Sequence, residues 1–361
     1  MRGLEKRGEP MTTRDVQTDV NISRPKRATI TEIARACGVS AQTVSRVINN
    51  RPDVSASTRQ VVERAIAETR YQPSALARGL VNRRSQMLGV IVGGLGNVGV
   101  SELLNGIASK SQAAGYGLLL REFNDTATPE LEPVINMLMS HQVEGIIFAM
   151  PSTDWTVALA DEVTRHVPPS IFLKRQPSTF HTTIGIDNEH GAGLAVRHLV
   201  SLGRTRIAHI TGPEPWLEAR QRREGWQRAM REAGLTAERF AHGDWSSDSG
   251  RRAFRTLLDR FPDIDAVFVG NDQMAFGVLR EASERGIKVP ADIAVVGFDG
   301  VSEGSYFSPS LTTIAQPLAA IGSAAVERLL REIEGDDSAV PGANIIMPTE
   351  FIVRESAPAP G

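Results

Sequence analysis

The sequence predicts a multidomain protein in which a small all-α helix-turn-helix module precedes two lobes of parallel, doubly wound α/β structure. Three observations predict this fold class. Residues 29–49 hold two short helical patterns joined at a glycine, residues 85–186 alternate apolar runs with helical patterns, and residues 187–316 repeat that alternation. With 361 residues, 41% of them hydrophobic and 23% charged, the chain suits two or three globular domains.

The first helical pattern begins at Thr29, which forms a capping box with Glu32, and ends at Gly38. Between these positions, apolar residues from Ile30 to Cys37 have the i, i+3, i+4, i+7 spacing of one helix face. A third amphipathic helix begins at Ser55, with two arginines, Arg59 and Arg64, expected outside. The residues expected to complete the three-helix core are Val61, Val62, Ala65, Ile66 and Thr69.

The second helix, capped by Ser40, turns Val44, Val47 and Ile48 inward. Its outer face is short, polar and carries one cation; it consists of Ala41, Gln42, Ser45, Arg46 and Asn49. On such a face glutamine can pair bidentately with adenine and arginine with guanine in a major groove. The face therefore favours recognition of double-stranded DNA over the alternative of a hairpin with a solvated polar surface.

The segments GVSAQTVSRVIN, VSASTR and YQPSALARGL resemble the headpiece of the lactose repressor family of bacterial transcription regulators, and the likeness continues to about residue 355. The resemblance implies a DNA-binding domain at 27–73, a hinge helix or linker at 74–84, and a two-lobed effector-binding domain, similar to periplasmic binding proteins, at 85–356. Residues 1–26 lack periodicity and indicate a disordered tail, in which Met11 is an alternative start.

Residues of the headpiece and hinge are expected to contact DNA. They are Thr29, Ala41, Gln42, Ser45, Arg46, Asn49, Ser55, Thr58, Ser74, Arg78 and Leu80. In the resembling family, paired leucines of two hinge helices wedge into the minor groove, and the matching residue is Leu80. The alternative is that Leu80 packs against the next domain.

The charge distribution supports a DNA-binding head. Residues 1–84 hold 16 Lys and Arg against 8 Asp and Glu, a net charge of +8. The remaining residues hold 24 against 34, a net charge of −10. A basic head on an acidic body suggests that only the head meets a polyanion.

The apolar runs are long enough for strands buried on both faces. MLGVIVG, GLLLR and EGIIFAM predict one sheet, and TTIGID, RIAHIT, DAVFVGND and IAVVGFD predict another, with helices between them. We expect a first lobe at about 85–186 and 317–343, and a second at about 187–316 and 344–356. A cleft between the lobes is where strand ends and loops would converge on a ligand.

Motifs along the cleft most resemble those of the family's namesake. EARQRREGW, GDWSSDSG, GNDQMAFG, VVGFDG and TTIAQP place five effector-binding side chains, which are Arg222, Trp245, Asn271, Asp299 and Gln316. Carboxylate, amide and guanidinium groups pair with sugar hydroxyls, and an indole packs on a sugar's C–H face. The alternatives are that Asn271 caps a helix, Arg222 is a surface cation and Trp245 is a core residue.

Three positions depart from the family's namesake. Lys174, within FLKRQ, stands where that protein has a carboxylate, Gly93 replaces a serine, and Ile186 replaces an aromatic residue. A cation at 174 would favour an acidic or phosphorylated sugar if it faces the cleft, so Lys174 is a further candidate effector-binding residue. Galactosides are therefore not assigned as effectors.

A rival interpretation comes from GGLGNVG, which contains the dinucleotide fingerprint G-x-G-x-x-G at residues 94–99 after a predicted strand. With Glu122 on a ribose, it would indicate an NAD(H)-binding enzyme or an NAD sensor. We disfavour it because Val100 and Ser101 are expected to delay the helix and no proton-transfer residues accompany the site.

Other classes lack their motifs. The sequence has no G-x-S-x-G elbow and no H-E-x-x-H, its seven histidines are scattered, and its single cysteine excludes a disulfide or thiolate cluster. We expect no enzyme, no cofactor and no metal. A transport binding protein would need export, whereas the polar N-terminus and the lack of a long apolar run predict a cytoplasmic, nucleoid-associated protein without membrane contact.

The sequence thus predicts a homodimeric transcription regulator, expected to repress a carbohydrate-utilisation operon, with a sugar-like effector in the cleft. In the family's namesake a C-terminal leucine-heptad helix produces a tetramer. No such pattern follows EFIVRE, so we expect a dimer. Two headpieces would read a pseudopalindromic operator. Whether the effector is an inducer or a corepressor stays open.

Overall fold

The computed structural model describes residues 28–69, 71, 84–96, 98–123, 131–150, 153, 167–173, 181–336 and 342–360. The chain divides into two compact units, one ending at Val81 and the other beginning at Asn82. The predicted tail at 1–26 and nearly all of the predicted hinge at 74–84 lie outside the described residues. No helix in the described part of the chain has the length and apolar character needed to cross a membrane.

The first unit contains three helices, α1 (Ile30–Cys37), α2 (Ala41–Ile48) and α3 (Ala56–Thr69). The predicted capping box is present, since the Thr29 hydroxyl accepts a hydrogen bond from the Glu32 amide and the Glu32 carboxylate accepts one from the Thr29 amide. The left-handed Gly38 ends α1, as predicted.

The core of this unit differs from the prediction in α3. Its buried residues are Ile33, Ala34, Val44, Val47 and Val62. Val61 is 51% exposed and Thr69 is also exposed, so their predicted places in the core are wrong. Because Val62 points at α1 and α2, its neighbour in sequence is turned about 100° away around the helix.

Arg59 was expected on the outside and instead connects α3 to the end of α2. Its guanidinium donates to the Asn50 side-chain oxygen at 2.9 Å and to the Arg51 carbonyl at 2.6 Å. It also donates to the Val47 carbonyl at 3.5 Å, one of the last carbonyls of α2, which lack regular partners within the helix. The position of α2 is thus fixed by α3.

The second unit begins with a sheet in which all strands are parallel, in the order β11-β5-β4-β3-β1-β2. Its strands are β1 (Met87–Val92), β2 (Gly117–Glu122), β3 (Gly145–Ala149), β4 (Ser170–Leu173), β5 (Thr182–Ile186) and β11 (Asn344–Met347). Helices α4 (Val98–Ala113) and α10 (Leu318–Ile333) cover one face and α5 (Leu131–Ser140) the other. This is the first lobe.

The second lobe has a sheet in the order β12-β10-β9-β8-β6-β7, parallel except for β12. Its strands are β6 (Ile207–Thr211), β7 (Phe240–His242), β8 (Ala266–Val269), β9 (Ala294–Asp299), β10 (Thr312–Ala315) and β12 (Glu350–Ile352). Its helices are α6 (Asn188–Ser201) and α7 (Leu217–Glu232) on one face and α8 (Ser247–Arg260) and α9 (Asp272–Glu284) on the other.

The predicted fold class is confirmed, with corrections. The strands β4, β7, β10, β11 and β12 and the helices α8 and α10 were not predicted as elements. Strand β11 pairs with β5 of the first lobe, so the predicted start of the last second-lobe segment at 344 is too early. The chain passes between lobes after β5, after β10 and after β11. The second passage, at Gln316, lies at the predicted boundary between residues 187–316 and 317–343.

Neighbouring helices approach each other through glycines. A Cβ on Gly250 of α8 would overlap the Met274 carbonyl of α9, and a Cβ on Gly277 of α9 would overlap the Ser247 carbonyl of α8. The pair α4 and α10 repeats this arrangement with Gly106. The glycines therefore set the distance between helices on both lobes.

We expect Gly277→Ala to lower the stability of the second lobe. The added methyl group meets backbone and cannot be accommodated by a side-chain rotation, so a loss of about 1–3 kcal/mol follows. Urea denaturation of the full-length chain measures it. The matched control is Gly96→Ala, because a Cβ at Gly96 meets nothing within 4 Å; equal losses in both variants would contradict the close approach of α8 and α9.

Candidate functional site

A cleft lies between the two lobes, at the edge where the second sheet's parallel strands end. On the side of the first lobe, the cleft is lined by residues 99 and 100, in the first turn of α4. The remaining described lining residues are Trp216, Glu218, Arg222, Trp245, Asn271, Gln273, Asp299 and Gln316. The structure thus brings together the five candidate residues that were predicted from separate motifs. Lys174, the sixth, lies outside the described residues.

Arg222 lies on the buried face of α7 and is 4% exposed, so it is not a surface cation. Its Nε donates to the Asn188 side-chain oxygen at 2.9 Å, and its Nη1 donates to the Gly270 carbonyl at 2.5 Å and approaches the Asp299 carboxylate at 3.4 Å. Burial lowers the pKa of Arg222, and the charge of Asp299 opposes this. Nη2 makes no hydrogen bond to a described residue and is the nitrogen left for a ligand.

The guanidinium is also enclosed by aromatic rings. Its Cζ lies 3.8 Å from the centroid of the Phe298 ring and 5.6 Å from that of Trp245. Such cation–π contacts stabilise a charge removed from water. Arg222 is therefore held in one orientation before any ligand arrives.

Asp299 ends β9 with a backbone φ of 120°, which a non-glycine residue adopts only at a cost. Its Oδ1 accepts a hydrogen bond from Gln316 Nε2 at 2.6 Å, and its carbonyl accepts one from the Gln316 amide at 3.1 Å. Gln316 stands where the chain leaves the second lobe for the first. The cleft carboxylate is therefore bonded directly to an interlobe passage.

Asp272, behind Asp299, fixes the loop that follows β9. Its carboxylate accepts hydrogen bonds from the amides of Gly300 and Val301, at 2.9 and 2.8 Å, and from the Thr313 hydroxyl at 2.7 Å. Burial, assisted by the charge of Asp299, raises the pKa of Asp272 to about 7 from an ordinary 3.8. The folded state thus binds the proton more tightly, so the stability that this residue contributes falls as the pH rises between those values.

Asn271 both caps a helix and lines the cleft. Its side-chain oxygen accepts a hydrogen bond from the Met274 amide at 2.9 Å, the cap of α9. Its Nδ2 donates to the Trp245 carbonyl and to the Gln273 side-chain oxygen, each at 3.0 Å. Asn271 is therefore the helix cap of the alternative interpretation, and its bond to the Trp245 carbonyl also fixes the loop that carries Trp245.

The Trp245 indole packs over Gly212, where any Cβ would overlap it. Trp245 is largely buried, as its core alternative requires, yet one edge lines the cleft. Its Nε1 and the Nε2 of Gln273 have no hydrogen-bond partner among the described residues. These are two buried donors at the wall of the cleft, where a ligand oxygen can satisfy them.

Three lining residues were missed from the sequence, namely Trp216, Glu218 and Gln273. Trp216 precedes α7, and its ring centroid lies 5.8 Å from that of Trp245. Glu218 stands four residues before Arg222 and therefore on the same helix face, a spacing that could have identified it. Gly93 and Ile186, predicted as departures near the cleft, are not among its described lining residues.

One of the two grounds given against the dinucleotide interpretation, a delayed start of the helix after the glycine-rich loop, is wrong. Helix α4 begins at Val98, so Val100 and Ser101 do not delay it. Glu122, the proposed ribose ligand, instead accepts a hydrogen bond from the Leu95 amide at 3.4 Å. Gly99 lies against Leu318, where a Cβ would be 3.2 Å from its side chain. The loop thus contacts α10 of its own lobe.

The outer face of α2 forms a separate candidate surface. Ala41, Gln42 and Arg46 are exposed, and Arg46 Nη1 lies 3.5 Å from the Asp53 carboxylate. Other candidates have structural duties as well. The side-chain Nδ2 of Asn49 donates to the Ser45 carbonyl at 2.8 Å, the Ser55 hydroxyl accepts from the backbone amide of Thr58 at 3.2 Å, and Thr29 caps α1. Ser74, Arg78 and Leu80 lie outside the described residues.

Comparison with known proteins gives the same two-part division. Residues 29–74 match the model of bacterial regulatory proteins of the lacI family, and residues 196–357 match a periplasmic binding protein-like domain. The chain is 33% identical to the lactose operon repressor of Escherichia coli K12 over 335 residues, 93% of this chain and 92% of that protein. It is 33% identical to catabolite control protein A of Priestia megaterium, over 91% of this chain and 98% of that one.

Solved structures agree over almost the whole chain. A lac repressor dimer bound to operator and the anti-inducer ONPF, at 33% identity, matches with a TM-score of 0.85 over 92% of this chain and 100% of that one. The complex of the regulator CelR with cellobiose, at 30% identity, matches with a TM-score of 0.68 over 91% of this chain and 100% of that one. The chain belongs to the lacI family of bacterial regulatory proteins.

Proposed function

We propose that this protein represses a carbohydrate-utilisation operon and that a sugar-like effector in the cleft controls its affinity for the operator. The observation that carries the proposal is the group formed by Arg222, Asp299, Gln316 and Trp245 on one wall of the cleft. The group offers an apolar indole surface beside charged and amide groups that pair with adjacent hydroxyls. That combination suits a carbohydrate better than an apolar ligand.

As a member of the lacI family, the chain is a DNA-binding transcription regulator and not an enzyme. The NAD-dependent enzyme considered from G-x-G-x-x-G is therefore wrong. Among similar proteins are a lactose operon repressor, a ribose operon repressor and a regulator bound to cellobiose. These names support a sugar effector here, whereas a similar purine repressor shows that family membership alone does not fix the ligand.

The DNA-binding surface in this proposal is the outer face of α2. Gln42 and Arg46 are exposed and carry the side chains suited to base edges in the major groove. The headpiece acts as one of a pair in a homodimer that reads a pseudopalindromic operator, with Ser74, Arg78 and Leu80 of the hinge contributing contacts. Operator binding places the protein in the cytoplasm at the nucleoid.

The effector acts in this proposal by shifting a population of lobe arrangements. A sugar hydroxyl that binds Asp299 competes with Gln316, which stands at an interlobe passage and bonds to the same carboxylate oxygen. The free energy available for switching is the difference between the effector's affinities for the two arrangements. If the effector favours the lobe arrangement that binds operator, it is a corepressor; if it favours the other arrangement, it is an inducer.

We expect Arg46→Ala to weaken binding to a selected operator by about 1–3 kcal/mol and to relax the preference at one base pair, since a bidentate contact to guanine is lost. The operator is first selected from random duplexes with the unmodified protein. Binding titrations at fixed salt then compare Arg46→Ala with Arg64→Ala, which removes the same charge from an exposed position of α3. If the two variants lose affinity and preference equally, α2 does not read bases.

We expect Asp299→Asn to lower the stability of the second unit, because the buried Arg222 loses its charged partner, but the folded variant should bind operator normally and lose its response to effector. Asparagine keeps the size of the side chain and tolerates the positive φ, but it removes the carboxylate that Arg222 and Gln316 contact. Operator titrations with and without the effector measure the response. Asp259→Asn, on the exposed face of α8, is the control. A variant at 299 that fails to bind operator even without effector would show that the carboxylate is structural.

A further inference from the structure

Arg46, the candidate base-reading cation of α2, has a carboxylate beside it. Its Nη1 lies 3.5 Å from the Asp53 carboxylate, and the two side chains are 47% and 54% exposed. We propose that Asp53 is a positioning residue for operator recognition: it aims the Arg46 guanidinium at a base edge, and its charge weakens binding to DNA of other sequences. The inference rests on the proposed function, because it requires that the outer face of α2 read bases.

The backbone that follows α2 fixes the place of Asp53 relative to Arg46. The Arg51 amide donates to the Arg46 carbonyl at 2.9 Å and the Asn50 amide to the Val47 carbonyl at 3.0 Å, which are the two bonds of a Schellman motif. Asn50 has the left-handed φ, 49°, that this motif requires and that asparagine tolerates better than most residues. The chain therefore turns back beside α2 within a few residues, and Asp53 lies next to the side chain of Arg46.

Helix α3 holds the same loop from the other side. The Arg59 guanidinium donates to the Asn50 side-chain oxygen at 2.9 Å and to the Arg51 carbonyl at 2.6 Å. Because the loop is anchored before it reaches Asp53, the carboxylate keeps its place although it is exposed. Asp53 is therefore held near Arg46 by the fold of the first unit, and not only by the attraction between the two charges.

A guanidinium beside a carboxylate keeps donors for a base. The group has five N–H donors in a planar fork, and the contact with Asp53 is made by Nη1 of Arg46. Nε and Nη2, on another edge of the fork, can donate to the O6 and N7 acceptors of guanine. Asp53 thus orients the plane of the guanidinium before DNA arrives, so less side-chain freedom is lost when guanine is bound.

The same carboxylate opposes the contacts that every duplex offers. A phosphate is an anion in any sequence, whereas the edge of guanine is uncharged. When the Arg46 guanidinium contacts a phosphate, the Asp53 carboxylate comes close to a second negative charge and repels it. Guanine brings no such charge. Asp53 therefore raises the ratio of specific to non-specific affinity in two ways.

The test compares Asp53→Asn with the unmodified full-length protein on three duplexes. They are the selected operator, the operator with a change at the base pair where Arg46→Ala relaxes the preference, and random DNA. Asparagine keeps the size of the side chain and removes its charge. We expect the preference for operator over random DNA to fall by about fivefold. The salt dependence of non-specific binding should steepen by about one phosphate contact, because the Arg46 guanidinium is no longer opposed there.

The matched control is Glu63→Gln, which removes the same charge from an exposed position of α3. It should leave both the preference and the salt dependence unchanged. The preference and the salt dependence are each measured within one variant, so a smaller folded fraction does not imitate the effect.

A double-mutant cycle with Arg46→Ala determines whether Asp53 acts through Arg46. With alanine at position 46, Asp53→Asn should no longer change the preference at that base pair. If Asp53→Asn leaves the preference unchanged, or lowers it equally with and without Arg46, the positioning role is wrong while base reading by α2 stands. An unchanged salt dependence would contradict the opposition to phosphates. If Arg46→Ala itself alters no preference, base reading by α2 is overturned, and this inference with it.

Discussion

The second unit depends on one buried guanidinium. Arg222 donates to Asn188, at the start of α6 just after the first interlobe passage, and to the carbonyl of Gly270, at the end of β8. It also contacts Asp299, which is bonded to Gln316 at the second passage. Removing one partner of such a network leaves a buried charge without compensation, which costs more than the bond itself. Two interlobe passages and the strand ends between them are therefore coupled through a single side chain.

The cleft also contains strained backbone. Asp299 and Trp245 both have positive φ angles, 120° and 73°, although neither is glycine. Asp272 holds the loop after Asp299 through two backbone amides, and Asn271 holds the carbonyl of Trp245. Strain of this kind persists where surrounding bonds over-determine it, and it keeps side chains aimed at the cleft. A ligand then meets a wall that needs little rearrangement.

The elements that could be predicted from the sequence are those with a regular apolar period and sufficient length. Continuous apolar strands and amphipathic helices identified both lobes, and strand-end motifs identified Asn271 and Asp299. Short or edge elements escaped, because β7 has three residues and β11, at the edge of its sheet, alternates between exposed and half-buried positions. The helix α8 was missed although its buried residues recur at helical spacing, because two of the five, Ser249 and Gly250, are not hydrophobic and the rest of the helix is mostly polar. Glu218 was missed because it faces the cleft from a helix, where periodicity indicates burial but not what shares the buried space.

In the first unit, the proposed reading of bases by α2 requires that this helix be rigid while its outer side chains stay available. Arg59 meets the first requirement from α3 by bonding the residues that follow α2, away from the outer face. The pairing of Arg46 with Asp53 is compatible with the second, since their side chains are 47% and 54% exposed. An ion pair that exposed contributes little to stability, so its exchange for a guanine edge costs little. Asp53 can thus orient the Arg46 guanidinium in the absence of DNA without competing strongly with a base. A buried carboxylate in its place would hold the guanidinium more tightly and would weaken binding to every DNA sequence equally.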